Sequence, residues 1–215
     1  MNSKFPSFLI VEDHSIVRRG LRDILADEYP RAVFGEANDS LLALAALERR
    51  KWDIVLLDIN IPGRGGLEVL EDIRRLYPQT KVLIVSAYPE EEFAVRAFAL
   101  GAAGYLCKNQ ASDELVTAVK KMLDGGKYVT AALAERLASA LNGGVERGAP
   151  HESLSPRELQ VLRLIAGGKT VKQIAAELAL SAKTVGTYRA RIAEKAGLKN
   201  NVELTRYAFQ HGLTQ

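Results

Sequence analysis

Between residues 8 and 123 short apolar runs alternate with longer amphipathic stretches, the rhythm of βα units repeated around a parallel sheet. The pattern predicts strands at residues 8–12, 32–36, 54–58, 82–86 and 104–106, each followed by a helix. Phe8-Leu9-Ile10-Val11 and Ile54-Val55-Leu56-Leu57 are apolar throughout, as strands are when helices cover both faces, so these two are predicted to be central. A sixth helix is predicted at about residues 130–141, ahead of a glycine-rich, apolar-poor stretch at 142–150 that reads as a flexible linker.

Beyond the linker the period becomes helical. In Leu154-Ser155-Pro156-Arg157-Glu158-Leu159, Ser155 can cap, Pro156 suits the first helical position, Glu158 closes a capping box and Leu154 can staple to Leu159. Helices are predicted at 156–166, 171–178, 182–196 and 201–211, the third capped by Ser181. Helix, short turn, helix is the order across Thr170 to Ala196, and Ile174, Ala175 and Leu178 with Val185, Ile192 and Ala196 fall on faces that close a small core. The expected fold class is α/β, a doubly wound five-stranded parallel sheet, with a second, smaller all-α helix-turn-helix domain. The expected boundaries are 1–129, 130–153 for the helix and linker, and 154–215.

Composition agrees with two domains: 215 residues, 47% hydrophobic and 26% charged. Cys107 is the only cysteine, which excludes an internal disulfide and argues against a thiolate metal cage. His14, His151 and His211 are scattered, with no second ligand at helical spacing. No apolar run is long enough for a membrane span and no secretory signal is evident, so a cytoplasmic location without membrane contact is expected. Charge divides unevenly. Residues 1–130 carry 17 Lys+Arg against 19 Asp+Glu, whereas residues 131–215 carry 12 against 7, placing a basic excess where a polyanion would be met.

In open α/β sheets, ligands bind beyond the carboxyl ends of the strands. Those ends here carry Glu12-Asp13, Asp58, Ser86 and, after the fifth strand, Lys108. Crowded carboxylates repel unless a cation offsets them, and Mg²⁺, which favours hard oxygens and retains places for water and phosphate oxygens, suits the set. With the charge neutralised by metal and by Lys108, Asp58 can attack a phosphoryl donor. Ser86 can hydrogen-bond the new phosphoryl group and Tyr105 can follow its loop, turning a local charge change into a change of surface. Taken singly, each acid is an ordinary helix cap and Lys108 a solvated lysine. The joint placement at the strand ends favours the functional reading.

On the second helix of the turn, steps of about 100° per residue put Lys183 and Thr187 opposite the apolar Val185, with Arg191 at the margin. Such a face enters the major groove in helix-turn-helix proteins, while flanking basic residues such as Lys195 and Lys199 reach phosphates. Thr184, Tyr188 and Arg189 complete the expected DNA-contact set.

The N-terminal motifs resemble the receiver domain of bacterial two-component response regulators: Glu12-Asp13, Leu57-Asp58-Ile59-Asn60-Ile61-Pro62-Gly63, Val85-Ser86-Ala87, Gly104-Tyr105-Leu106 and Lys108. Residues 154–211 resemble the LuxR-type helix-turn-helix of the NarL/FixJ class, through Leu154-Ser155-Pro156-Arg157-Glu158, Ile165-Ala166-Gly167-Gly168, Leu180-Ser181 and Lys183-Thr184-Val185. The resemblance implies a flavodoxin-like receiver, phosphotransfer to Asp58 from a sensor histidine kinase, and Mg²⁺ held by Asp13, Asp58 and the Asn60 main-chain carbonyl with Glu12 in support. It also implies binding of double-stranded DNA as a homodimer, with the last helix in the dimer contact, and a transcription regulator rather than an enzyme. The chain departs from relatives at Asn109, where many receivers have proline, and at Gly186 and Tyr188 on the recognition helix.

Three other classes compete. An aspartyl-phosphate phosphatase would need a second titratable acid where Asn60 stands. A regulator driven by a small inducer would need an apolar ligand pocket in place of the acid cluster. A degenerate receiver would lack part of the acid, hydroxyl and lysine set that this chain has complete.

Overall fold

The computed structural model describes residues 5–142, 150–178 and 180–213. They divide into two compact units, Met1–Gly144 and Val145–Gln215. Most of the expected linker, residues 143–149, and Ala179 of the expected turn lie outside the described residues.

The N-terminal unit runs β1 (Ser7–Val11), α1 (Ser15–Glu28), β2 (Val33–Ala37), α2 (Ser40–Arg49), β3 (Ile54–Leu57), α3 (Gly66–Leu76), β4 (Lys81–Ser86), α4 (Glu90–Ala99), β5 (Gly104–Cys107), α5 (Ala111–Leu123) and α6 (Ala131–Asn142). Its sheet is parallel throughout in the order β2-β1-β3-β4-β5. β1 and β3 are central strands, and every residue in both is buried. Alternation sends Phe8, Ile10, Leu56, Leu83 and Leu106 toward Leu21 and Leu25 of α1 and Leu115, Val119 and Met122 of α5. Each such fully buried aliphatic contributes about 1.5–3 kcal/mol relative to exposure. The register aligns the carboxyl ends, with Val11 beside Leu57 and Leu57 beside Ile84. The residues that follow these strands therefore converge at one edge.

The observed ends differ from the sequence reading by about one residue. β2 covers Val33–Ala37 instead of 32–36, because Ala32 closes a turn onto the Tyr29 carbonyl at 2.9 Å. β3 stops at Leu57, which leaves Asp58 in the loop although its amide still donates to the Val11 carbonyl at 2.9 Å.

Helix α6 belongs to this unit. The Thr130 hydroxyl accepts from the Leu133 amide at 3.1 Å, capping the helix, and donates to Glu90 Oε1 at 2.7 Å. Arg136 donates to the Glu91 carbonyl at 3.0 Å and Leu133 is fully buried, so α6 is docked on α4.

The C-terminal unit contains α7 (Pro156–Ala166), α8 (Val171–Glu177), α9 (Ala182–Ala196) and α10 (Asn201–Gln210). The capping box predicted at Ser155 and Glu158 is present, and Thr170 with Gln173 forms a second that the sequence reading did not single out. Leu154, Leu162, Ile174, Val185, Ile192 and Leu204 are buried, whereas Leu178 and Ala196, expected in the core, are half-buried at its rim. A 3-10 turn at Pro150–Ser153 precedes α7, and the His151 amide donates to the Tyr207 hydroxyl of α10 at 3.1 Å.

Candidate functional site

Beyond the strand ends, Glu12 after β1 and Asp58 after β3 are almost wholly buried, and Ser86 at the end of β4 is fully so. Lys108, after β5, sends Nζ to 2.8 Å from Asp58 Oδ2 and 2.6 Å from Glu12 Oε2. The Asp58 contact is a hydrogen bond. The Glu12 contact is closer, yet Glu12 Oε2 lacks hydrogen-bond geometry to any partner, so it is a charge contact only. Burial raises the Glu12 carboxyl above its ordinary range, and the Asp58 charge pushes the same way against Lys108. For Lys108, burial alone would lower proton affinity, but Asp58 and Glu12 more than offset it and the ammonium is held above its ordinary value.

Asp13 is half-buried at the same edge, and its Oδ1 also lacks a hydrogen-bond partner although His14 Nδ1 lies 2.6 Å away. Glu12, Asp13, His14 and Asp58 each present a donor atom within 4.8 Å of all the others. Orphaned buried carboxylate oxygens among hard donors are what a divalent cation satisfies, so the set fits one. Asn60 stands half-buried two residues beyond Asp58, in the loop before α3.

His14 is the member that the sequence reading missed. The search for ligands at helical spacing could not find it, because His14 precedes α1 and meets its neighbours through the turn of the loop: its amide and Nδ1 lie 3.1 and 3.0 Å from Glu12 Oε1.

The expected switch pair adjoins this cluster. Ser86 Oγ accepts from the Tyr88 amide at 3.2 Å, and the buried Tyr105 hydroxyl donates to the Tyr88 carbonyl at 3.0 Å. Burial pushes the Tyr105 phenol far above its ordinary range, with the Ser86 hydroxyl opposing. Every peptide bond among the described residues is trans, and Lys108-Asn109-Gln110 winds a 3-10 turn where proline was noted as absent.

In the C-terminal unit, Val185 and Ile192 turn α9 inward. Lys183, Thr187, Arg189 and Arg191 are exposed, with Thr184 and Tyr188 half-buried. Thr184 is partly committed to the helix start: its amide donates to Ser181 Oγ at 3.0 Å and the two hydroxyls meet at 2.8 Å. Arg189 reaches Asn201 Oδ1 at 3.4 Å, and it lines a cleft with Lys199 and Leu204. Lys195, expected to reach phosphates, pairs in this structure with the buried Glu158 at 2.7 Å. Periodicity places a residue on a face but cannot reveal a carboxylate brought beneath it by another helix.

An all-parallel βα sheet with a carboxylate, hydroxyl and lysine cluster at its carboxyl edge, followed by a helix-turn-helix unit, defines a two-module regulator with a receiver-type fold. Residues 8–120 match the family described as "Response regulator receiver domain" and residues 152–208 match "Bacterial regulatory proteins, luxR family". The response regulator GacA of Pseudomonas aeruginosa is 38% identical over 95% of this chain and 96% of its own length. The response regulator UvrY of Escherichia coli K12 is 37% identical over 95% and 94%. Among solved structures, RcsB of Salmonella enterica serovar Typhimurium, bound to promoter rprA in the presence of phosphomimetic BeF3-, is similar with a TM-score of 0.55 and 26% identity over 94% of this chain and 97% of that one.

The chain belongs to the response regulators of the NarL/FixJ class, with a receiver domain and a LuxR-type DNA-binding domain. It is a transcription regulator by family, and among its described residues no helix is long and apolar enough to cross a membrane.

Proposed function

We propose that Asp58 accepts a phosphoryl group from a sensor histidine kinase with Mg²⁺ bound beside it, and that the phosphorylated chain binds double-stranded DNA as a dimer. The observation that carries this reading is the contact of buried Asp58 and Glu12 with Lys108, beside an Asp13 oxygen that lacks a hydrogen bond. A carboxylate oxygen of Asp58 attacks phosphorus while the donor's phosphorus–nitrogen bond breaks, its electron pair leaving on the imidazole. Lys108 stays charged throughout and faces the developing phosphoryl charge. Asp13, Asp58 and the Asn60 carbonyl, with Glu12 in support, would hold Mg²⁺, which would supply positive charge against the phosphoryl oxygens. As an acyl phosphate, Asp58 no longer presents a full carboxylate to Lys108, and Ser86 can turn to a phosphoryl oxygen. That exchange releases its bond to the Tyr88 amide and frees the loop that Tyr105 pins.

For the second step, the promoter-bound relative and the exposed face of α9 support groove reading through Lys183, Thr187, Tyr188 and Arg191, with Thr184 at the helix start. Arg189 and Lys199 suit phosphates, and Lys195 does so only by leaving Glu158. Val202 and Phe209, exposed seven residues apart on α10, suit a contact with a second copy. The cheapest test is the intact mass of the chain after incubation with an acyl phosphate and Mg²⁺. Wild type gains one phosphoryl group and Asp58→Asn gains none; equal gain by both would place the acceptor elsewhere.

A further inference from the structure

We propose that His14 supplies a nitrogen ligand to the acid pocket, so that this pocket takes borderline transition cations of the Ni²⁺ and Zn²⁺ type as well as a hard cation such as Mg²⁺. The inference rests on the reading of the Glu12, Asp13 and Asp58 pocket as a cation site.

Three observations carry it. The first is position: His14 Nδ1 lies 2.6 Å from Asp13 Oδ1 and 3.0 Å from Glu12 Oε1, and the four donors of the cluster lie within 4.8 Å of one another. Neighbouring ligands on an octahedron with bonds of about 2.1 Å are separated by about 3.0 Å, so the imidazole and its two carboxylate neighbours already have the spacing of adjacent positions around one ion. The second is vacancy in the bonding of its neighbour. Asp13 Oδ1 has no hydrogen-bond partner, so the His14 ring, although close, does not satisfy it by an N–H bond, and the 1% exposed Glu12 Oε2 is met by the Lys108 ammonium at 2.6 Å without hydrogen-bond geometry. A cation beside His14 would satisfy the Asp13 oxygen.

The third is that the one hydrogen bond the ring makes among the described residues, Nδ1 to Glu12 Oε1 at 3.0 Å, is not the only one that oxygen has, since Oε1 also accepts from the His14 amide at 3.1 Å. His14 is the N-cap residue of α1, yet its side chain makes no capping hydrogen bond, and the side chain is 64% exposed. It can therefore exchange that bond for a cation without unmaking the helix start, and Glu12 Oε1 keeps the His14 amide as its donor. Imidazole favours Zn²⁺, Ni²⁺ and related ions, whereas all-oxygen sets favour Mg²⁺ and Mn²⁺. A hard pocket with one nitrogen at its rim thus holds two classes of cation, and His14 matters to only one of them.

Calorimetric titration of the full chain with MgCl2 and, separately, with NiCl2 at one neutral pH tests this. The background is His151→Ala/His211→Ala, which removes the other two imidazoles. His14→Ala is expected to weaken Ni²⁺ about tenfold or more while changing Mg²⁺ by less than about twofold, and excess Mg²⁺ is expected to displace Ni²⁺. Unchanged Ni²⁺ affinity in His14→Ala, or an equal loss for both ions, overturns the assignment of His14. Asp13→Asn separates the two readings: if Mg²⁺ binds it as tightly as it binds wild type, the pocket itself is not the cation site, and the inference falls with it.

Discussion

Gly66 shows how narrow the tolerance is around the acid cluster. A Cβ on this residue would lie 2.1 Å from the Asp58 carbonyl oxygen and 2.8 Å from the Ile59 Cα, both backbone atoms that cannot rotate away. The Gly66 amide also donates to the Ile59 carbonyl at 2.9 Å, so the start of α3 is seated directly on the loop that carries Asp58. Gly66→Ala is expected to cost about 1–3 kcal/mol of receiver stability, or more, by forcing these backbones apart. A urea titration reads the loss, and phosphorylation by acyl phosphate should fall with it as Asp58 moves from Lys108. At this scale the sequence was legible where chemistry and strand ends coincide: Glu12, Asp13, Asp58, Ser86 and Lys108 all stand at one edge. Gly66 and His14 were not. A close approach between backbones and a contact made through a loop turn leave no mark in hydrophobic periodicity.

Among the elements, α9 departs most from what its own residues favour. Gly186 sits in its second turn with open space where a Cβ would go. Nothing in the packing of the unit requires glycine there, and its helix propensity is about 1 kcal/mol poorer than that of alanine. Gly186→Ala is accordingly expected to slow hydrogen exchange of the α9 amides by about fivefold, the factor that 1 kcal/mol represents. Helix identities were readable because the capping residues Ser155 and Ser181 and the apolar spacing agree. The pairing of Lys195 with Glu158 was not readable, since Glu158 lies on α7 and the contact depends on how two helices pack. Docking of α6 against α4 through Thr130, Arg136 and Leu133 was likewise outside the sequence reading, which had this helix leaving the first domain at residue 130 toward a linker. That contact places α6 on the helix that directly follows the Ser86–Tyr88 loop. A shift of the loop therefore has a mechanical neighbour within the same unit.

For the whole molecule, charge is partitioned: the basic excess falls in residues 131–215, while residues 1–130 are slightly acidic. Binding to DNA is expected to weaken steeply as salt rises, with log affinity falling by about 0.9 for each phosphate contact per tenfold rise in salt concentration. Arg191→Ala should weaken binding to promoter DNA by about tenfold if the exposed face of α9 enters the groove, consistent with about 1–3 kcal/mol for a base-reading side chain. Unchanged retention of the variant on DNA across salt concentrations would remove Arg191 from the interface. The two-domain plan was legible because the receiver and helix-turn-helix patterns have different periods and different charge.

The parallel bridge between Gly104 and Tyr128 carries a consequence for solubility. Tyr128 lies along the outer side of β5 with its amide donating to the Ala103 carbonyl at 2.8 Å, anchored through its hydroxyl on Glu114. One margin of the sheet is thereby fenced against pairing with a foreign strand. Among the described residues no sixth strand covers the opposite margin, β2, which carries Glu36, tied to Arg18 and Arg22. Of the two borders, that one meets a neighbouring copy with charged side chains, which oppose stitching by a foreign strand.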